Sequence, residues 1–129
     1  MHLSLLDRVI ERSETHIVTV KGVSSAEEYL QDHFPDFPVL PGVFMIEAMV
    51  AAARELVGEP RLVLGSVRAV KYGRFVRPGE TLVVRVSLLK RDGARVEFKG
   101  EAGVRGANGA MIEGATAVSG RFVLRPLTV

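Results

Sequence analysis

Cysteine is absent from this chain of 129 residues, and so is any long apolar run. Without cysteine the chain has no disulfides, no thiolate metal ligands and no cysteine nucleophile, and nothing indicates an oxidising compartment. The longest apolar stretch, residues 43–53, is interrupted by Glu47 and is too short to span a bilayer. The first residues carry charges and lack the apolar segment of a signal peptide. We therefore expect a cytoplasmic protein with no membrane association.

A large charge of one sign is also lacking. The formal net charge is +2, and the Lys and Arg residues are scattered along the chain, which gives little support to nucleic-acid binding. A mildly basic surface suits an acidic protein partner. The length allows one hydrophobic core, and the apolar fraction of 47% is ordinary for a globular protein. We expect residues 1–129 to form a single domain.

Alternating apolar and polar residues predict strands, most clearly in Thr81–Leu89 and Arg95–Val104. Such alternation is typical of a sheet with one face in water. The dipeptides Asp92-Gly93 and Asn108-Gly109 are favoured in tight hairpins and follow two of these segments. The full set of predicted strands is Thr15–Val23, Arg61–Tyr72, Thr81–Leu89, Arg95–Val104 and Ala110–Leu124, the last being one long strand or a pair.

One helix is predicted between Pro41-Gly42 and the stop signals Gly58 and Pro60. From Val43 to Ala53 it is apolar all round except for Glu47, so it must be buried on most sides. A short helical turn is predicted at Ala26–Gln31. The order of elements favours an α+β fold in which a curved antiparallel sheet wraps around one long buried helix.

The segment between the first strand and the helix carries the candidate chemistry. It reads DHFPDFPVLPG from Asp32 to Gly42, and its three prolines make it stiff. A stiff loop holds a side chain such as His33 in one place, and an imidazole exchanges protons near neutral pH. Glu47 follows in the helix, where a carboxyl group among apolar neighbours is suited to act as an acid.

This region resembles the β-hydroxyacyl-ACP dehydratases of type II fatty acid synthesis, whose signature reads roughly GHFPxxPxxPGVxxxEAMAQ. Residues 32–51 read DHFPDFPVLPGVFMIEAMVA, with the same spacing of fourteen residues between His33 and Glu47. The segments LLDRVIE (5–11), IVTVKGVS (17–24) and VKYGRFVRPGETL (70–82) are also similar to the family. The resemblance implies a hot-dog fold and dehydration of a 3-hydroxyacyl chain carried by acyl carrier protein, without a cofactor. Glu rather than Asp at position 47 is similar to the branch that dehydrates without isomerising.

Dehydration needs three groups, and the resemblance assigns each to a residue. His33 is expected to be the base that takes the Cα proton, and Glu47 the acid that protonates the departing hydroxyl. The backbone N–H of Gly42, at the positive end of the helix, is expected to hold the thioester oxygen. In the family the His of one subunit meets the acid of its partner, which implies a homodimer. Further assembly into a trimer of dimers is a second expectation.

Further residues are expected around this centre. The predicted substrate-lining residues are Phe34, Pro41, Val43, Phe44, Tyr72 and Phe75. Four cations are predicted to dock the carrier protein, with solvated surface as the alternative: Arg68, Lys71, Arg74 and Arg77. The histidines and carboxylates do not have the spacing of metal ligands, so no metal is expected. Four apolar residues of the helix are expected to pack in the core rather than to line a tunnel for the acyl chain, although some could do both: Phe44, Met45, Met49 and Val50.

Three positions depart from the family pattern: Asp32 replaces Gly, Ala51 replaces Gln and Phe75 replaces Pro. The two catalytic groups are unaffected by these changes. Two alternatives remain open at this point. One is a hot-dog thioesterase, which needs a carboxylate-activated water, and the other is a catalytically idle acyl-binding subunit in which the departures mark lost activity.

Overall fold

A computed structural model describes residues 5–23 and 42–127, and for residues 112–115 the backbone only. Six strands form one sheet in the order β1-β2-β4-β5-β6-β3, and all neighbouring strands are antiparallel. Helix α1 packs against four of them, β2, β4, β5 and β6. The elements are β1 (Arg8–Arg12), β2 (His16–Gly22), α1 (Gly42–Val57), β3 (Val63–Tyr72), β4 (Thr81–Asp92), β5 (Arg95–Arg105) and β6 (Met111–Arg125).

The core lies between one face of α1 and the inner face of the sheet. Phe98 and Phe122, opposite each other on β5 and β6, stack with ring centroids 5.4 Å apart. The alternation predicted for β4 and β5 is confirmed. Its apolar members Leu82, Val84, Val86, Val96, Phe98, Ala102 and Val104 are all buried, as are Met45, Ile46, Ala48, Met49, Val50, Ala52, Ala53 and Leu56 of the helix.

Two glycines let the helix approach the centre of the sheet. Gly100 and Gly120 are directly opposite each other on β5 and β6. A Cβ atom on Gly100 would lie 2.5 Å from Met49 Sδ and 3.2 Å from the Phe122 ring. The missing side chain therefore leaves the space that Met49 fills.

The helix ends where the sequence predicts. Gly58 has φ +67°, a left-handed conformation that glycine adopts without strain. Its N–H donates to the Glu55 carbonyl at 3.3 Å, and the Glu59 N–H donates to the Arg54 carbonyl at 3.2 Å. These two bonds form a Schellman motif, which satisfies carbonyls that the last turn leaves unpaired.

Strand β1 is a correction to the predicted set, which began with Thr15–Val23. Only Val9 of the five residues is half-buried and the rest are exposed, so no alternation marks the segment as a strand. Asp7, just before β1, forms two hydrogen bonds with β2. The Asp7 N–H donates to the Val20 carbonyl at 2.8 Å, and the Asp7 carboxylate accepts the Gly22 N–H at 2.7 Å. Residues 8–12 therefore form a strand because they pair with β2 in a hairpin, and not because their sequence alternates between apolar and polar residues.

The other boundaries differ from prediction by a few residues. Strand β4 runs on to Asp92 because a bulge after Leu88 breaks the alternation without ending the pairing with β5. Leu62, predicted to lie in β3, precedes that strand and donates its N–H to the Glu59 carbonyl in a turn. The last segment is one strand, β6. The helical turn predicted at Ala26–Gln31 lies outside the described residues.

Candidate active site

The start of α1 meets the end of β3. Gly42 is the first residue of the helix, and the Tyr72 ring lies against it. A Cβ atom at position 42 would be 2.8 Å from Tyr72 Cε1 and 3.0 Å from Cζ, so glycine is required while the ring is there. The N–H groups of a first helical turn have no acceptor within the helix. The junction therefore combines backbone donors with an aromatic wall.

One strip of α1 is left open by the sheet. Its members follow one another at intervals of four residues and so lie on one side of the helix: Val43, Glu47, Ala51 and Glu55. We call these four residues the helix strip. Val43 is 62% exposed, and Glu47 and Ala51 are half-buried. The helix is thus buried on most sides, as predicted, but the side that carries Glu47 is the exception.

Glu47 is placed by its helix. Its neighbours Ile46 and Ala48 are buried, whereas the Glu47 side chain reaches the surface along the strip. It follows Gly42 by five residues, which corresponds to a rise of about 7.5 Å along the axis. A carboxyl group and the backbone donors of the first turn therefore lie within the length of a small substrate.

Two exposed aromatic side chains lie at the end of β3 and in the loop that follows it. Tyr72 is 57% exposed and Phe75 is 55% exposed, which is high for residues of this size. Val43 and the Tyr72 ring form an apolar surface at the helix start that the described residues leave uncovered. Three of the residues predicted to line the substrate, Val43, Tyr72 and Phe75, are thus accessible.

The loop after β3 holds Phe75 through backbone contacts with β6. The Gly73 N–H donates to the Ala117 carbonyl at 2.9 Å and the Arg74 N–H donates to the Thr116 carbonyl at 3.0 Å. A Cβ atom on Gly73 would be 2.1 Å from the Thr116 carbonyl oxygen. No side chain fits there without moving the backbone, so Gly73 sets the course of the loop.

The carboxylate of Glu80, at the end of the loop between β3 and β4, bonds to two residues within that loop. Glu80 accepts the Arg77 N–H at 2.8 Å and pairs with the Arg74 guanidinium at 2.6 Å. Burial opposes the ionisation of Glu80, but these two partners outweigh it and hold its pKa below the ordinary value. The pair makes the loop a fixed element rather than a loose connection.

The predicted docking cations do not share one environment. Arg68 pairs with Glu97, and Arg74 is occupied by Glu80. Lys71 is exposed on β3, and Arg77 is exposed in the loop. The cluster predicted from the sequence is therefore divided between the sheet face and a structural ion pair.

Other predicted residues are core or lie outside the described part of the chain. Met45, Met49 and Val50 are buried, and Phe44 is half-buried against the core, which confirms their expected role in packing. Outside the described residues lie the proposed base and three of its neighbours: Asp32, His33, Phe34 and Pro41.

A cluster that the sequence did not indicate lies on the β1–β2 hairpin. His16 Nδ1 is 2.6 Å from Ser13 Oγ, and His16 Nε2 is 2.5 Å from Glu11 Oε2. The hydrogen bond from His16, with Arg85 nearby, lowers the pKa of Glu11. Ser13 Oγ also accepts the N–H groups of Thr15 and His16, so both of its lone pairs are used within the turn. The cluster ties the hairpin together.

Neither a metal site nor a membrane span was found in the part of the chain that the structure describes. No three of its His, Asp and Glu side chains are grouped so that they could hold a metal ion. Within residues 5–23 and 42–127, no helix is long and apolar enough to cross a membrane.

Comparisons with known proteins agree with the geometry. A family described as ApeI-like, ApeI dehydratase, matches residues 9–112. The 3-hydroxyacyl-(acyl-carrier-protein) dehydratase FabZ of Lactococcus lactis subsp. cremoris (strain MG1363) is 40% identical over 108 residues, covering 79% of this chain and 75% of the relative. FabZ of Streptococcus suis (strain 98HAH33) is 39% identical over 124 residues, covering 90% of this chain and 81% of the relative.

Solved structures match over nearly the whole chain. The dehydratase heterocomplex ApeI:P from Xenorhabdus doucetiae has a TM-score of 0.73 and 26% identity, covering 97% of this chain and 84% of that one. A hypothetical thioesterase with coenzyme A from Streptococcus pneumoniae TIGR4 has a TM-score of 0.65 at 11% identity, covering 92% and 86%. The second likeness shows the fold alone. The hot-dog fold expected from the sequence is confirmed.

Proposed function

This chain belongs to the ApeI-like dehydratase family, and on that premise we propose that it is a 3-hydroxyacyl-(acyl-carrier-protein) dehydratase. It removes water from a 3-hydroxyacyl thioester and leaves the trans-2-enoyl thioester. The observation that carries the proposal is the position of Glu47. It is a carboxyl group on the one open side of an otherwise buried helix, in a chain about 40% identical to dehydratases over most of its length.

The proposed mechanism assigns one group to each charge that develops. His33 takes the proton from Cα, and the electron pair of that bond becomes the new double bond. The C–O bond at Cβ breaks, and the hydroxyl leaves as water with the proton of Glu47. The Gly42 N–H, at the positive end of α1, stabilises the negative charge on the thioester oxygen while Cα is being deprotonated. Proton exchange with solvent returns His33 and Glu47 to their starting states.

The active unit is proposed to be a homodimer in which His33 of one subunit faces Glu47 of the other. The helix strip supports this, because it leaves Glu47 and the exposed Val43 for another surface to cover. Strand β3 supports it as well, since ten residues at a sheet edge are an open template for pairing. Assembly of dimers into a trimer of dimers stays a prediction.

The substrate pocket and the carrier contacts are proposals of the same kind. Substrate-lining roles for Phe34, Pro41, Val43, Phe44, Tyr72 and Phe75 are consistent with the apolar surface at the helix start. Docking of acyl carrier protein on Arg68, Lys71, Arg74 and Arg77 stays a prediction, as does a cytoplasmic location. Fractionation of cells that produce the tagged protein tests the location.

The assay that tests the function follows enoyl absorbance and free thiol in parallel, with a 3-hydroxyacyl carrier protein as substrate. We expect enoyl product from the wild type and a loss of at least about a hundredfold in His33→Ala and in Glu47→Gln. Chromatography of the product should show the trans-2 isomer without the cis-3 isomer. Thiol release without enoyl product would instead identify a thioesterase. If neither enoyl absorbance nor free thiol increases, the chain is a catalytically idle subunit.

A mixing experiment tests the shared active site. His33→Ala and Glu47→Gln proteins are each inactive, but a mixed dimer holds one intact His33 opposite one intact Glu47. Equal amounts, unfolded together and refolded, should recover about a quarter of the wild-type activity, because half of the dimers are mixed and each has one working site. No recovery would mean that both residues act within one subunit.

A further inference from the structure

Beyond Glu47, the helix strip continues for two more turns toward the end of α1. The neighbours of Glu47 on the helix surface, three and four residues before and after it, are all apolar: Val43, Phe44, Val50 and Ala51. Toward the helix end these are Val50, which is fully buried, and Ala51, which is half-buried. The open surface beyond the carboxyl group is therefore apolar and carries little side-chain volume.

Two charged side chains end this apolar stretch. Arg54 follows Glu47 by seven residues and Glu55 follows it by eight, which corresponds to a rise of about 10.5–12 Å along the axis. The Arg54 Nε–H donates to the Leu62 carbonyl at 2.7 Å. Arg12 of β1 pairs with the Glu55 carboxylate at 3.4 Å and also donates to the Glu55 carbonyl. Both charged groups are therefore held in place by bonds within the chain.

The proposed chemistry sets the direction in which an acyl chain leaves the reacting carbons. The thioester oxygen is held at Gly42 and the hydroxyl on Cβ at Glu47, which is one and a half turns farther along the helix. The remaining carbons therefore continue from Cβ over Ala51 toward the two charged side chains. Apolar carbons gain by leaving water along this path. Contact with the charged groups at its end would instead cost desolvation free energy.

We propose that the part of the helix strip from Glu47 to Glu55 selects the length of the acyl chain. Ala51 leaves the space that the chain occupies, and Arg54 and Glu55 set its far limit. An extended chain of roughly eight carbons spans about 10.5 Å, so with the carbons from the thioester to Cβ the preferred substrate has roughly ten to twelve carbons. The inference rests on the proposed function and names a medium-chain substrate for the same site.

A chain-length profile of the wild type tests the limit. The quantity measured is kcat/KM for dehydration of 3-hydroxyacyl carrier proteins with chains of four to sixteen carbons. It should rise to a maximum at roughly ten to twelve carbons and fall at least about tenfold by sixteen. A profile that is flat, or that still rises at sixteen carbons, would overturn the proposal.

Ala51→Leu should shorten the profile, because the larger side chain occupies the path of the acyl chain. We expect kcat/KM to fall at least about tenfold with the ten-carbon substrate and to stay within about twofold with the four-carbon substrate. Ala94→Leu, in the exposed turn between β4 and β5, is the matched control and should leave the profile unchanged. An equal loss at every chain length in Ala51→Leu would overturn the proposal, because it would reflect a disturbed Glu47 or a disturbed fold.

Arg54→Ala/Glu55→Ala should lengthen the profile, because the charges at the far limit are removed. The ratio of kcat/KM for sixteen carbons to that for ten should rise at least about fivefold. Glu59→Ala/Arg91→Ala removes another exposed pair of one acid and one arginine and should leave the ratio unchanged. The same ratio in both double variants would overturn the proposed limit.

Binding of saturated acyl-pantetheine thioesters separates this inference from the proposed function, because binding needs no chemistry. In titration calorimetry Kd should fall roughly tenfold for every two carbons added and stop falling at roughly ten to twelve carbons. A Kd that keeps falling, or a plateau that Ala51→Leu does not move to shorter chains, would overturn the length limit even if enoyl product forms. A wild type that shows the plateau but forms no enoyl product would refute the proposed function and support the length limit.

Discussion

Ala69 has a left-handed backbone conformation, which is uncommon for a residue other than glycine. Its φ of 54° is the one positive value at a non-glycine position among the described residues. It lies in β3 where the register with β6 shifts between Arg68 and Lys71, so the bulge forces this conformation on it. Residues with a Cβ lose about 1–2 kcal/mol in the left-handed region.

Ala69→Gly should therefore stabilise the protein. The relief of strain exceeds the extra chain entropy that glycine adds to the unfolded state, and the net gain should be up to about 1 kcal/mol. Urea unfolding measures it. Ala94→Gly, in the exposed turn between β4 and β5 where φ is not positive, should lose stability instead. If Ala69→Gly is less stable than the wild type, the left-handed conformation at Ala69 does not strain the folded protein.

Glu80 should make the free energy of unfolding depend on pH below neutrality. Its pKa in the folded protein lies below the ordinary value because the Arg77 N–H and the Arg74 guanidinium outweigh the effect of burial. A lowered pKa gives stability that is complete above the unfolded pKa and is lost as pH falls through the folded pKa. The stability difference between wild type and Glu80→Gln should thus be largest near neutral pH and shrink on acidification.

Denaturant unfolding between pH 7 and pH 3 checks this expectation. Glu101→Gln is the matched control, since Glu101 is exposed and has no ion pair among the described side chains. The stability difference between wild type and Glu101→Gln should stay nearly constant over this pH range. A Glu80 difference that did not change with pH would contradict the ion pair as the source of the effect.

At the scale of elements, the packing of α1 on the sheet depends on Gly100. Gly100→Ala places a Cβ where Met49 Sδ now lies, 2.5 Å away, and beside the Phe122 ring. Met49 is fully buried and has little room to move, so we expect a loss of about 1–3 kcal/mol. Met49→Ala alone leaves a cavity and should lose about 2–5 kcal/mol.

The double variant distinguishes this contact from general weakening. In Gly100→Ala/Met49→Ala the new methyl group partly fills the cavity, so the combined loss should be smaller than the sum of the single losses. Additive losses, measured by urea unfolding, would show that Gly100 and Met49 do not compete for one space.

The sequence predicts elements best where the signal is local. The helix between Gly42 and Gly58 was predicted within one residue at each end, because its apolar run and its stop signals lie in the chain itself. Strand β1 was missed because hydrogen bonds to Asp7 and pairing with β2 define it. The extension of β4 to Asp92 was missed because a bulge interrupts the alternation there.

The same distinction holds for the candidate site. The positions of Glu47 and Gly42 follow from the helix and could be predicted. The contact between Tyr72 and Gly42 depends on how the end of β3 packs against the helix start. The alignment of Arg68 with Arg121 depends on strand register, which joins residues far apart in the sequence. Alternation tells which face a residue occupies but not which residue lies opposite it.

At the scale of the whole molecule, the open surfaces differ in chemistry. The helix start is apolar, with Val43 and Tyr72 exposed, whereas the outer face of the sheet carries several cations, among them Arg68, Lys99 and Arg121. A second copy of the chain suits the first surface, because apolar area is removed from water. It does not suit the second, where a two-fold contact would bring cations against cations. The two surfaces therefore suit partners of different chemistry.

The subunit contact can be tested apart from chemistry through Val43. In Val43→Lys an ammonium group enters the proposed interface without a partner, which should weaken the dimer by about 3 kcal/mol, or about a hundredfold in dissociation constant. Leu127→Lys is the control, because Leu127 is 69% exposed and lies near the end of α1 opposite to Gly42, beside Gly58 and Pro60. Sedimentation velocity should show monomers for the first variant and dimers for the second, with the same circular dichroism. If Val43→Lys sediments as a dimer as tightly as the control does, the helix strip is not the subunit interface, and the base that meets Glu47 must come from the same chain.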